Sequence, residues 1–332
     1  MKYLDKIYGE FEIKEPVVLE LINSPSLQRL KYVDQAGYQP LFVKPDVKMG
    51  GDHTRFAHSV GVYLLLYKYR ASIEEQIAGL IHDVSHSAFS HCIDYVLESG
   101  SQKEQNSQDN FFEEYVKKTE IPAILEKYGF DPGYILNEEK FPLKEKKLPD
   151  LCADRIDYSL KEAMIFEELD EKTKNYFLDN LIVKDDSWVF LNFESAKKFA
   201  VVFFTMNSIY YSAFESAVMF RTVGDYLKYS LQKGYLSQND LYTTDQEVLD
   251  KANKCFDKDE KLKLLWLRMN GKIKVKNNPK DYDAEVFCKS RAVDPLFSDG
   301  GALKRVSDFE PSWGETVKQE LKPKQYFLKF DR

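Results

Sequence analysis

A mostly helical fold with a small β appendage is predicted by three features of the 332-residue sequence. Apolar residues recur at helical spacing through most of the chain up to about residue 232. Alternating runs are short and confined to 181–193 and the last third. A composition of 43% hydrophobic and 30% charged residues is that of a globular protein with room for one large core or two smaller ones.

The elements follow in order. Residues 15–38 hold two short helical patterns, broken at Ser24-Pro25 and closed by Gly37. Residues 39–54, with Pro40, Pro45 and Gly50-Gly51, read as a loop. From 55 to 70, Phe56, Val60, Tyr63 and Tyr67 stand at helical intervals, and a second helix is expected over 74–84. Residues 108–129 predict another helix, interrupted at Ile121-Pro122. The stretch 130–149, rich in Pro, Gly and charge, reads as a surface excursion whose "KEKK" is a solvated run.

Helix resumes at 150–168. Two alternating strands around Asp185-Asp186 predict a hairpin over 181–193. Residues 194–232 read as one or two long helices, and their aromatic stripe reads as core packing. A helix near 257–269 and strand candidates "GKIKVK", "AEVFCKSR" and "QYFLKF" complete the chain. The division expected is a helical domain over 1–235, with its motifs between 28 and 165, and a smaller α+β region over 236–332 packed on it.

Bulk chemistry narrows the function classes. A net charge of −7 argues against general binding to nucleic acid or anionic membranes, which needs clustered positive charge. Cys92, Cys152, Cys255 and Cys288 are scattered without a CxxC pair, as expected of reduced thiols. The N-terminus lacks the apolar stretch of a secretory signal, and no run approaches the ~18 apolar residues of a membrane span. A cytoplasmic protein is expected.

The chemistry concentrates in one place. All five histidines, His53, His58, His82, His86 and His91, lie between 53 and 91, and "GLIHDVSHSAFSH" sets three of them with Asp83 in an otherwise apolar stretch. Ionisable groups are costly in such surroundings unless something compensates them. His86 follows His82 by four residues and shares its face. Adjacent His82 and Asp83 diverge by about 100° on a helix, so other helices must supply the rest of any ligand set. The cluster predicts a site for one divalent ion, and mixed His/Asp ligation suits Mn, Fe, Ni, Co, Zn or Mg. A metalloprotease is the obvious rival, because "HDVSH" looks like HExxH. Its Asp is too short to serve as general base there, and no adjoining third-ligand pattern follows.

"TRFAHSVGV", "AGLIHDVSHSAFSH" and "DRIDYSL" together resemble the HD superfamily of metal-dependent phosphohydrolases, in particular its dNTP triphosphohydrolase-like branch. The defining H…HD…D set is matched by His58, His82-Asp83 and Asp154. A segment resembling "SPSLQRLKYVDQAG" precedes it, so the likeness runs from about residue 5 to 165. The resemblance implies an HD-type helical core and a hydrolase. It implies that His58, His82, Asp83 and Asp154 ligate one divalent metal. Arg55 would face a substrate phosphate, and His86 and His91 would contact the phosphate or leaving group. Asp94 would orient the acid–base machinery, Gln35 would contact the sugar, and Arg155 and Tyr158 would contact substrate. These roles agree with phosphoryl-transfer chemistry, which needs a polarising cation, an activated water and donors for the equatorial oxygens.

Two departures from the branch pattern bear on substrate. Where the branch carries a His before a Glu, this sequence has Lys103 beside Glu104, and a lysine is a poor proton shuttle near pH 7. The helix expected to bind triphosphate reads "TMNSIYYSAFESAVMFR", almost free of positive charge until Arg221. Three functions are therefore weighed: a phosphohydrolase of a nucleotide (dNTP, NTP or nucleoside monophosphate) or similar phosphoester, a metal-retaining nucleotide sensor, and a phosphodiesterase. The complete ligand set favours the enzyme over the sensor, and a single HD pair argues against two-metal diesterases. The partner expected is a small phosphorylated molecule, with no nucleic acid or membrane, in a chain able to form a homo-oligomer.

Overall fold

A computed structural model describes residues 1–38, 53–96, 103, 105 and 111–331. Residues 39–52 of the expected loop 39–54, and Glu104, lie outside the described residues. The chain is mostly helical with small sheets, as the periodicity predicts. Two short helices, Pro16–Ile22 and Pro25–Arg29, lead into the central layer. That layer is α1 (Arg55–Lys68), α2 (Ile73–Ile81) and α3 (Ala153–Ile165). Thr54 caps α1 by accepting the Ala57 N–H at 3.2 Å, and Ser72 caps α2 by accepting that of Glu75 at 3.2 Å. Residues 55–66 of α1 are buried on every side, so this helix runs through the core rather than along its surface.

α4 (Phe193–Met206) and α5 (Phe214–Gln232) are the long aromatic helices, and α6 (Glu260–Met269) packs on α5. Between α4 and α5 the chain makes one π-helical turn, Asn207–Tyr211. Phe199 and Phe203 of the aromatic stripe are core residues, as read from the sequence.

Nine strands are described: β1 (Lys2–Asp5), β2 (Gly9–Glu12), β3 (Leu181–Lys184), β4 (Ser187–Phe190), β5 (Val275–Asn277), β6 (Ala284–Cys288), β7 (Leu296–Asp299), β8 (Ala302–Arg305) and β9 (Lys324–Phe330). β1 and β2 form an N-terminal hairpin that the periodicity did not signal. β3 and β4 are the expected hairpin; Asp185 and Asp186 turn it at φ 50° and 51°, the left-handed geometry that Asp tolerates in two-residue hairpin loops. β7 then adds parallel to β4 and antiparallel to β8, while β9 pairs between β5 and β6.

The core has two clusters, and both draw on residues either side of position 235. One joins the central helices to Val293, Phe297, Val306 and Trp313; the other joins Phe89, Cys92 and α5 to α6, β6 and β9.

The segment 130–149 departs from expectation. Phe141 and Leu143 are buried, and Lys144 of the "KEKK" run is only 3% exposed. Glu75 is the cause: its Oε1 accepts the backbone N–H groups of Leu143 (2.6 Å) and Lys144 (2.9 Å). The Leu143 carbonyl accepts from Trp188 Nε1 at 2.9 Å and from the N–H of Ala153 at 2.7 Å, at the start of α3. A stretch that is polar in sequence is thus clamped over the N-terminus of α3.

Candidate metal centre and active site

His58 stands in the first turn of α1, three residues after Arg55 and on the same face. α2 ends at Ile81, earlier than the expected 84, with His82 as its C-cap. His82 and Asp83 are thereby freed from helical spacing, and the carbonyl of Gly79 holds His82 through Nδ1 at 2.7 Å. That contact leaves the Nε2 side of the ring turned toward two carboxylates, Asp83 Oδ1 at 3.3 Å and Asp154 Oδ1 at 3.6 Å. Asp154 comes from the first turn of α3, and its Oδ1 is 2.8 Å from His58 Nε2. Asp83 Oδ2 lies 3.9 Å from the same nitrogen.

The four side chains predicted as ligands therefore gather in one place, with Asp83 turning Oδ2 toward His58 and Oδ1 toward His82. The edges of 2.8–3.9 Å match neighbouring ligands on one cation with bonds of about 2.0–2.2 Å. His58, His82 and Asp154 offer donor atoms all within 4.8 Å of one another, as do Glu145, Cys152 and Asp154 beside them. The donor set fits a divalent ion.

Electrostatics follow from the crowding. Burial opposes a charged His58, but Asp154 and Asp157 outweigh it and raise its pKa to about 9. Burial works to raise Asp83 and Asp154, yet Arg55, His82 and His86 hold the first well below the carboxylate range, and His58 and His82 hold the second there. His86 is pushed down to about 3 by burial and by Arg55, against the pull of Asp83. Burial and then Arg55, Arg291 and Lys289 depress His91 well below its ordinary value.

The centre opens on a cavity of about 290 Å³. Of the predicted residues, Gln35, Arg55, His82, Asp83, His86, His91, Asp154, Arg155 and Tyr158 line it. Arg55 is 4% exposed and donates to Asp83 Oδ2 (2.8 Å), Ser90 Oγ (3.1 Å) and the Gln35 carbonyl (2.8 Å). These three bonds leave two of the five guanidinium N–H donors. His86 packs edge-on to His91 with ring centres 5.2 Å apart, and its Nε2 is 3.3 Å from Asp83 Oδ1. Asp94 sits behind the wall, with Oδ2 3.6 Å from His91 Nδ1, lining a separate small recess with His86 and His91. Arg155 is tied to the carbonyls of Lys146 and Asp150 and to Glu145 at 3.3 Å. Lys103 is exposed, outside the cavity wall, with Nζ 4.4 Å from the centre of the Phe287 ring. His53 lies off the wall between Asp34 and Glu162, each 3.4 Å away.

Sequence reasoning missed several participants. Asp157, fully buried, is 2.7 Å from His58 Nδ1 and fixes that ring from behind. Lys161 in turn holds Asp157, with Nζ 3.2 Å from both carboxylate oxygens. The signal was present: 154, 157 and 161 are spaced i, i+3, i+7 on one helix face. Lys144, Glu145, Tyr210, Tyr211, Lys289 and Arg291 also line the cavity, with no local pattern to announce them.

The HD domain family profile matches residues 55–160. Over 330 residues the chain is 34% identical to the uncharacterized protein YdhJ of Bacillus subtilis, covering 98% of each. It is 40% identical over 169 residues to the metal-dependent phosphohydrolase cns2 of Cordyceps militaris, covering 50% of this chain and 46% of that one. It is 34% identical over 149 residues to the deoxynucleoside triphosphate triphosphohydrolase SAMHD1 of Mus musculus, covering 39% of this chain and 22% of that one. No helix among the described residues is long and apolar enough to cross a membrane.

Proposed function

The chain belongs to the HD-domain family of metal-dependent phosphohydrolases, and on that premise we propose that it hydrolyses a nucleotide at the cavity lined by His82, Asp83 and Asp154, with His58 2.8 Å from Asp154 completing the donor set. The observation that carries this reading is the convergence of the four donors beneath a wall of Arg55, His86, His91 and Arg155. A divalent ion held there would polarise a phosphoryl oxygen and make water nucleophilic near neutral pH.

The chain's own residues do the rest. Arg55, immobilised by three bonds, presents its remaining donors to a phosphate oxygen without reorganising. Neutral His86 and His91 each offer one N–H and one acceptor nitrogen, enough to bond a phosphate and to take or pass a proton at the leaving oxygen. Asp94 positions His91 from behind. Tyr158 and the π-turn tyrosines Tyr210 and Tyr211 give the cavity aromatic faces for a sugar or base. The name of SAMHD1 supports a nucleoside phosphate as the substrate class, and that of cns2 supports phosphate hydrolysis with a metal.

The test is a product-resolved hydrolysis screen of chelator-treated protein reloaded with Mn, Fe, Co, Ni, Zn or Mg. Substrates are dNTPs, NTPs, nucleoside monophosphates and dinucleotides. Turnover that depends on added metal supports the reading. Bound metal and bound nucleotide without turnover would replace it with a sensor.

A further inference from the structure

We propose that Arg291, carried by the segment that follows β6, selects substrates bearing more than one phosphate by taking the phosphate next to the one held at the metal centre. The inference rests on the phosphohydrolase reading and adds a residue to it from the far end of the chain.

Arg291 is fixed in place by a buried device. Asn207, fully buried at the start of the π-turn, accepts the Arg291 backbone N–H on Oδ1 at 2.8 Å. Its Nδ2 donates to Ser290 Oγ at 3.0 Å and to Glu320 at 3.1 Å. A π-helical turn interrupts the regular helical ladder and is frequent at functional sites. Here it serves the cavity twice: it carries Tyr210 and Tyr211 on the wall and anchors the irregular segment that brings Arg291 to the same cavity.

The side chain itself differs from three other cations of the wall. Arg55 is neutralised by Asp83 at 2.8 Å, Lys144 by Glu138 at 2.6 Å and Arg155 by Glu145 at 3.3 Å. Among the described residues Arg291 pairs with no carboxylate. Its guanidinium donates to Gln105 Oε1 at 3.0 Å and to the Lys289 carbonyl at 3.5 Å, both neutral acceptors. Its charge nevertheless reaches the site, where it helps lower His91 and opposes the rise that burial imposes on Tyr158. A half-buried guanidinium with no counter-ion among the described residues, on a cavity wall with two neutral imidazoles, is suited to a phosphate, which it can bind through two oxygens. The positive charge that residues 205–221 lack is thus supplied by the chain segment that Asn207 holds beside them. A phosphate chain long enough to meet the metal centre and Arg291 together gains both contacts, whereas a monophosphate gains one.

The experiment compares wild type with Arg291→Gln and Arg291→Lys, all metal-loaded. Calorimetric affinity and kcat/KM are measured for a deoxynucleoside triphosphate and its monophosphate. The expected result is that Arg291→Gln lowers triphosphate affinity at least tenfold more than monophosphate affinity, with Arg291→Lys between. Equal losses for the two nucleotides, no loss, or no nucleotide binding in wild type would overturn the assignment. Selective loss of triphosphate binding without turnover in any variant would uphold Arg291 while refuting hydrolysis as the function.

Discussion

Asp157→Asn separates what holds the metal centre together from what holds the fold together. Asp157 is fully buried and serves two masters, His58 Nδ1 at 2.7 Å and Lys161 Nζ at 3.2 Å. Asparagine keeps the shape and one acceptor oxygen but removes the charge. Lys161 then loses its main counter-ion while buried, a change that costs about 3–5 kcal/mol. It keeps the Ala57 carbonyl at 2.6 Å and Asp5 at 3.4 Å, which sets the expected loss near the low end, about 3 kcal/mol. His58 loses a charged acceptor behind its metal-facing nitrogen, and such losses weaken metal affinity about 10–100-fold.

The two effects are measured apart. Urea unfolding of chelator-treated protein reads the first, and competitive metal titration of folded protein reads the second. A further substitution, Lys161→Met, removes the orphaned ammonium. The double variant Asp157→Asn/Lys161→Met should therefore regain most of the stability and none of the metal affinity. Metal affinity within twofold of wild type in Asp157→Asn would refute the positioning role. Stability within about 0.5 kcal/mol of wild type would refute the buried-pair argument.

Two further substitutions probe the neighbourhood. A Cβ on Gly61 of α1 would come 2.0 Å from Lys161 Nζ and 2.1 Å from Asp157 Oδ1, so Gly61→Ala should displace that pair. Its expected cost is about 1–3 kcal/mol of stability, with weaker metal binding alongside, and metal affinity unchanged by titration would contradict the coupling. Lys103→His should change turnover by less than twofold, because Lys103 lies on the Phe287 ring outside the cavity wall. A tenfold rise on a triphosphate would instead put position 103 in the proton path.

Legibility in the sequence followed the range of the interactions. α1, α3 and the β3–β4 hairpin could be read because their periodicity and turn residues are local. The HD pair was legible as chemistry, since histidines confined to one apolar stretch need a reason. The end of α2 at Ile81 was not, because helical periodicity runs on into a segment whose backbone bonds elsewhere: Ala88 N–H donates to the Leu241 carbonyl. Lys144 read as solvated because its burial is imposed by Glu75 and Trp188, distant in sequence. Arg291 left no trace for the same reason: it reaches the cavity only through Asn207, 84 positions earlier. The β7–β8 hairpin is short and polar, and its place depends on the parallel pairing of β7 with β4.

The central claim is that one divalent ion, held by His58, His82, Asp83 and Asp154, is what makes this chain a phosphohydrolase. Elemental analysis and nucleotide hydrolysis, run together on wild type and on His82→Ala/Asp83→Ala with circular dichroism to verify folding, test it most directly. The account predicts close to one ion per wild-type chain, and a folded variant that has lost both metal and turnover. A folded variant that keeps its metal, or hydrolyses nucleotides at the wild-type rate, would contradict it.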